Sequence, residues 1–225
     1  MRVAAKCAAV VAALGLAVPV WAQFGMGRAP SMKGIFHPVV GEGAAYQIQG
    51  GRESGPNQME IAVVGKEDYQ GLSGYWLEMS FGDMRGGMGA MKSLYVMEGP
   101  TPGVKRMIMM MNGQAYEFPM NNPMMGGRMP KPEAGDIRND KSAVDVGKET
   151  ITVPAGTFSC EHYKASDGSY DLWVSEKVSP WGMVKMVGKD STLVLLRQIS
   201  GAQTKITGPV KPFDPSAMMG QRPNQ

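Results

Sequence analysis

Gly147-Lys148-Glu149-Thr150-Ile151-Thr152-Val153-Pro154-Ala155-Gly156-Thr157-Phe158 is the stretch that decides the fold. Val144 to Val153 reads as a strand. Pro154-Ala155-Gly156 is a tight turn, in which proline presets its φ and glycine accepts a positive one. Thr157 to Ala165 returns as the partner strand. Asp167-Gly168 is a hairpin turn signal, and Ser169 to Ser175 is the third strand. Beyond Pro180-Trp181-Gly182, Met183 to Val187 and Ser191 to Ile199 form a further hairpin across Gly188-Lys189-Asp190. The result is an antiparallel meander. A meander of this length buries one face and must curl or be covered at its edges.

The same period of two runs through the first half. Met59, Ile61 and Val63 share one face of a run; Tyr75, Leu77, Met79 and Phe81 share a face of the next; Leu94 and Val96 continue the pattern. Val104 to Met111 is apolar on both faces and predicts a strand covered on both sides. No comparable stretch shows apolar residues at i, i+3 and i+4. The 30 glycines also argue against long helices, since each costs up to ~1 kcal/mol in a helix interior. The expected fold is therefore mainly β: one curved antiparallel sheet, a half-barrel or open barrel, over residues 35–208. Pro119 to Gly135, with four Pro and three Gly, predicts a long mobile loop between two halves of that sheet. Residues 23–34 predict a flexible leader and residues 209–225 a disordered tail.

Met1 to Ala22 reads as a cleavable secretory signal. Arg2 and Lys6 form the basic start, Ala8 to Val18 is the apolar run, and Val20-Trp21-Ala22 supplies the cleavage site. The run is shorter than the ~20 residues that a spanning helix needs. The expected location is the periplasm or the extracellular space. Cys7 precedes the apolar run, whereas a lipidated cysteine would follow it. Removing the signal takes the 23 basic residues down to 21 against 20 acidic ones, a net charge of about +1. That balance speaks against a nucleic-acid partner or an anionic membrane surface. It also leaves Cys160 as the only thiol, so an internal disulfide is excluded and packing alone must stabilise the chain.

The strand and turn residues carry a resemblance. Gly147 to Phe158, the Tyr170-Asp171-Leu172-Trp173-Val174-Ser175 strand and Ser179-Pro180-Trp181-Gly182-Met183-Val184-Lys185 resemble a group of uncharacterised exported bacterial proteins with a GKETITVPAGTF-type motif. Phe36-His37-Pro38-Val39-Val40-Gly41 and Lys105-Arg106-Met107-Ile108 fit the same group. More distantly, these proteins are similar to the lipoprotein-carrier (LolA-like) half-barrel class. That resemblance implies a curved sheet around an apolar concavity that takes acyl chains. In those carriers helices plug the concave face; this sequence offers no candidate helix for that role.

Methionine is the compositional anomaly, with 21 in 225 residues. Met84, Met88 and Met91 lie in a Gly-rich segment, Met107 and Met109 to Met111 in the apolar strand, and Met120, Met124, Met125 and Met129 in the expected loop. Met218 and Met219 lie in the tail. Three readings follow. Thioethers favour Cu(I), and a flexible loop lets Met120, Met124, Met125 and Met129 converge on one ion. Unbranched methionines also make an adaptable apolar surface. Strand methionines are otherwise core filler. Trp76, Trp173 and Trp181, with Met107 and Met109, are the candidate lining of an apolar groove, or else anchors of the sheet core.

Cys160 and His162 are two apart on one strand and share a face. They read as a buried Cys beside an edge His, with a nucleophile pair or a two-ligand metal contribution as the sharper alternatives. His37, before Pro38, reads as a surface or capping residue. There is no Gly-x-Ser-x-Gly, His-Glu-x-x-His, Cys-x-x-Cys or phosphate-cradling loop. No catalytic residue and no cofactor are expected. The preferred function is a non-enzymatic periplasmic binding or carrier protein for an apolar ligand such as a lipid. A Met-based copper protein and a structural or interaction domain are the alternatives.

Overall fold

Each hairpin turn found in the sequence closes a pair of strands, and the pairs add up to one large sheet. The computed structural model describes residues 32–50, 57–82, 88–98, 101–120 and 134–214; the signal at Met1–Ala22 lies outside them. In chain order the elements are β1 (Met32–Gly34), β2 (Gly43–Gly50), β3 (Gln58–Tyr69), β4 (Leu72–Phe81), β5 (Met88–Glu98), β6 (Thr101–Met111), β7 (Gln114–Phe118) and β8 (Ala134–Asp136). A 3-10 turn (Ile137–Asn139) follows, then β9 (Ala143–Val153), β10 (Gly156–Ala165), β11 (Tyr170–Val174), β12 (Met183–Gly188), β13 (Ser191–Ile199) and β14 (Val210–Pro212).

Twelve strands form the main sheet in the order β14-β7-β6-β5-β4-β3-β2-β13-β12-β11-β10-β9. It is two meanders, β2 to β7 and β9 to β13, joined where β13 pairs with β2. The expectation of a mainly β, single open sheet is met. β9 and β14 are its edges, and all pairs are antiparallel except β14 beside β7. The sheet curls at the β9 end. The Ala155 N–H, in the turn between β9 and β10, donates to the Leu195 carbonyl of β13 at 3.4 Å, across β11 and β12.

The turns explain the registers. Pro154 and Ala155 join Val153 to Gly156, which sits at φ +129. At Asp167-Gly168, the Asp167 carboxylate accepts from the Ser169 N–H at 2.9 Å and Gly168 takes φ +68. Two further hairpins close on Gln70-Gly71 and Asn112-Gly113. Both central residues of each have positive φ, 55 and 81, 50 and 76. That is the primed geometry whose twist matches the strands it connects.

Three boundaries differ from the expected ones. Met32–Gly34, placed in the leader, forms β1, which pairs in parallel with β8. Ala134 and Gly135, placed in the mobile loop, belong to β8, and the loop's residues 121–133 lie outside the described ones. Val210–Pro212, placed in the tail, runs parallel to β7 at the sheet edge. In all three places the segment is short and nonperiodic, so only a partner strand recruits it. Val104–Met111 does lie between two covered faces, with Met107 and Met109 buried on one side and Ile108 on the other.

The main core lies on one face, here called the inner face. Tyr46, Met59, Ile61, Val63, Leu77, Tyr95, Leu172 and Leu195 belong to one buried cluster. Extended segments cover its centre. Ile35, just after β1, and Ile137 of the 3-10 turn join that cluster, as does Trp181, which is 1% exposed. Trp181 packs on Phe36 and Tyr95 with ring centroids 4.6 and 5.6 Å away. The Ile35 N–H donates to the Trp181 carbonyl at 2.8 Å. Gly34 is required at this crossing, because a Cβ there would stand 2.0 Å from that same oxygen.

Candidate functional site

The opposite, outer face is covered by the chain that leaves β13. The Ala202 N–H donates to the Gly41 carbonyl at 2.8 Å. The Glu78 carboxylate, buried on β4, then accepts from the Lys205 N–H at 2.7 Å and the Thr204 hydroxyl at 2.5 Å. Ile206 packs with Ala90, Ile108 and Ala115 of β5, β6 and β7. Gln114 Nε2 donates to the Pro209 carbonyl at 2.7 Å, and β14 follows. Residues 202–214 thus form a strap that crosses the outer face and turns the edge at β7. Phe213 ends stacked on Phe118 with centroids 4.2 Å apart.

Trp76 lies on this outer face, not with the inner core. Its Nε1 donates to Glu67 at 2.8 Å, and the Arg106 and Lys92 cations stand 5.1 and 5.3 Å from its ring centroid. Arg106 grips Glu117 through Nε and Nη2 at 2.6 and 3.1 Å and reaches Glu67 through Nη1 at 2.9 Å. The hydrogen bond from Arg106 holds the Glu117 carboxyl below the usual range and raises the guanidinium further. This row ties β3 to β7.

Trp173 belongs to a third group. It stacks on His162 at 4.3 Å, donates to Glu149 at 2.7 Å and lies beneath the Lys185 ammonium at 5.1 Å. His162 Nε2 is 2.9 Å from Asp171, and Nδ1 is 3.4 Å from Glu149. Cys160 is buried two residues earlier on β10, and Glu149 is its register partner on β9. Desolvation, with help from that carboxylate, pushes its thiol up to about 11. A nucleophilic cysteine needs the reverse shift, which speaks against the nucleophile reading of the pair. His37 is exposed, and its N–H donates to the Pro180 carbonyl.

Met107 and Met109 do meet. With Phe118 they form a buried cluster, against which Met91, Met111, Tyr116, Met120 and Phe213 pack half-buried. Register makes this a row on the inner face. Met79 stands opposite Met91, Met91 opposite Met109, and Met109 opposite Tyr116. The five residues expected to line a groove therefore separate. Met107 and Met109 come together, Trp181 fills the separate main core, and Trp76 and Trp173 stand in their own polar groups. Of the loop methionines, Met120 joins the row; Met124, Met125 and Met129 lie outside the described residues. Alternation already puts Met79 on this face; Met91 and Met111 are the members that strand periodicity alone does not single out, because cross-strand register brings them in. Among the described residues no group of three or more His, Cys, Asp or Glu side chains could hold a metal ion, and no helix is long and apolar enough to cross a membrane.

No protein-family model matches the chain, and no curated protein does. Three solved structures overlap it loosely. A protein from Bacteroides fragilis described as exported, with a YmcC-like fold, has 11% identity and TM-score 0.35, covering 73% of this chain and 99% of that one. A protein from Parabacteroides distasonis described as a lipoprotein has 14% identity and TM-score 0.37, covering 73% and 98%. MucB, in complex with MucA(peri), has 8% identity and TM-score 0.35, covering 75% of this chain and 53% of MucB. Overlaps this loose carry no argument about what the chain does.

Proposed function

We propose that the chain is a non-enzymatic binding module that works outside the cytoplasm and receives an apolar ligand, such as a lipid acyl chain, on the inner face of its sheet. One observation carries the reading. Met79, Phe81, Met91, Met111 and Tyr116 stay half-buried on that face, next to the fully packed Ile61 and Met109. Contiguous apolar surface that a fold leaves partly open marks an interaction site. Unbranched methionines let it adapt to ligands of varied shape. The N-terminal pattern at Met1–Ala22 supports export, and the strands from Met32 to Pro212 are the working β domain. The unactivated Cys160 thiol supports a binding role over nucleophilic catalysis.

Native mass spectrometry with lipid extraction tests the proposal, alongside uptake of a fluorescent fatty acid. A co-purifying lipid, or saturable uptake that Phe81→Asp abolishes, is the expected result. A ligand-free mass with no uptake overturns it in favour of an interaction domain.

A further inference from the structure

The methionines on the inner face sit where cross-strand neighbours sit. Met91 of β5 is the direct register partner of Met109 of β6, and Met111 is two residues further along β6 on the same face. Direct partners in an antiparallel pair hold their Cβ atoms roughly 5 Å apart; the register shifts between Met88 and Met91, so Met111 pairs with Met88, and its packing against the cluster that holds Met109 is what brings it to the group. Three rotatable bonds let each thioether swing across such a gap. Met107 and Met120 pack into the same cluster, so further sulfurs stand behind the first three.

The surroundings select the kind of ion. The rings of Phe118 and Phe213 stack beside the sulfurs, and Tyr116 faces Met109 across the strands. Among the described residues no group of three or more His, Cys, Asp or Glu side chains could hold a metal ion. A hard divalent cation would lose its water here without gaining a set of charged oxygen ligands. A soft monovalent ion loses little hydration, and thioethers are the ligands it prefers. Met109 is 2% exposed and so held in place, while half-buried Met91 and Met111 leave a way in from solvent.

We propose that Met91, Met109 and Met111 form a thioether site for Cu(I). The site differs from the loop set suggested by spacing alone. Met91 and Met111 also lie on the face assigned above to an apolar ligand, but ligation by thioethers needs no lipid. The full chain is titrated anaerobically with Cu(I) against bathocuproine disulfonate, and with Ag(I) as a probe that does not change oxidation state. One equivalent of each is expected to be retained. Met91→Leu with Met111→Leu together keep apolar volume and should weaken retention at least tenfold, with the thermal midpoint of the metal-free protein little changed. Failure to hold either ion overturns the proposal. So does undiminished retention in the double variant, which would put the metal on other methionines. Cu(I) retention is also measured on Phe81→Asp, which lies outside the three ligands and keeps the two readings apart: retention there, whether or not the unaltered chain takes up fatty acid, is the expected result, and loss of Cu(I) with the thermal midpoint unchanged overturns the metal site.

Discussion

Lys205 Nζ lies 2.6 Å from Glu60 Oε2, joining residues 145 positions apart in the chain. The same ammonium donates to Ser80 Oγ at 2.8 Å, and Arg197 reaches the other Glu60 oxygen at 2.5 Å. Glu60 and Ser80 face outward on β3 and β4, directly opposite one another in register. The contact is the middle of the strap, where a segment without regular structure is pinned across the strands it spans.

Acid should loosen that strap. The hydrogen bond from Lys205 is the main cause holding the Glu60 carboxyl below its ordinary value, with Arg197 adding to it. A depressed carboxyl stabilises the fold above its unfolded value, about 4.3 for glutamate. That contribution is lost as pH falls through the folded value. Hydrogen-exchange protection of the amides at residues 202–206, taken relative to their intrinsic rates at each pH, should fall below about pH 4. Lys205→Ala should show the fast exchange already at neutral pH and a shallower acid slope in its thermal midpoint. Equal acid slopes in the two proteins would sink the idea. The pair is partly exposed, so its worth at neutral pH is about 0.5–1 kcal/mol.

Arg106 should not tolerate lysine. Its fork on Glu117, its reach to Glu67 and its place over Trp76 need a planar cation with several donors. Arg106→Lys keeps the charge and loses that geometry, at a cost of about 1 kcal/mol for a half-exposed network. Trp76 fluorescence should shift as the indole loses its cover. An unchanged spectrum with an unchanged urea midpoint would argue that the network is ornamental.

Trp181 is expected to be the most costly core position. Removing a fully buried indole that packs on Phe36 and Tyr95 should cost about 3–5 kcal/mol. Gly34→Ala attacks the same crossing from the other side, since its Cβ would meet the Trp181 carbonyl. Both variants should lower the chemical denaturation midpoint. A midpoint unchanged in Gly34→Ala would mean that β1 does not cross where described.

Cys160 should resist thiol reagents in the native protein. With its thiol pushed up to about 11 and its side chain buried, almost none is thiolate at pH 8. Iodoacetamide at that pH should label it only after denaturation. Rapid labelling of the folded chain would restore the nucleophile reading of the Cys160–His162 pair.

The second meander and the runs of β3, β4, β5 and β6 were legible because period two is local: Met59, Ile61 and Val63 bury together, as alternation requires. β2 and β7 were not read. Asp167-Gly168 and Pro154-Ala155 were legible because turn chemistry is local too. Alternation already puts Trp76 on the face opposite Tyr75 and Leu77, but Trp173 and Trp181 could not be assigned to surroundings from spacing. The register shifts between Trp173 and Val174, and Trp181 lies between strands, so neither facing has a strong signal in one sequence. β1, β8 and β14 went unread for a related reason: three residues carry no period, and each exists because a distant strand offers free backbone groups.

By itself, then, the sequence determined the mainly β class, the hairpins of the second meander and the concentration of methionine in β5 and β6. Tertiary structure alone decided three things. It joined the meanders through β2 and β13, drew the strap from Ala202 to Phe213 over the outer face, and set Met91 opposite Met109. Strand formation follows from alternation and turns within about ten residues. Register between strands is settled only when the hydrogen-bond ladder and the buried face are satisfied together, and that condition involves residues far apart in the chain.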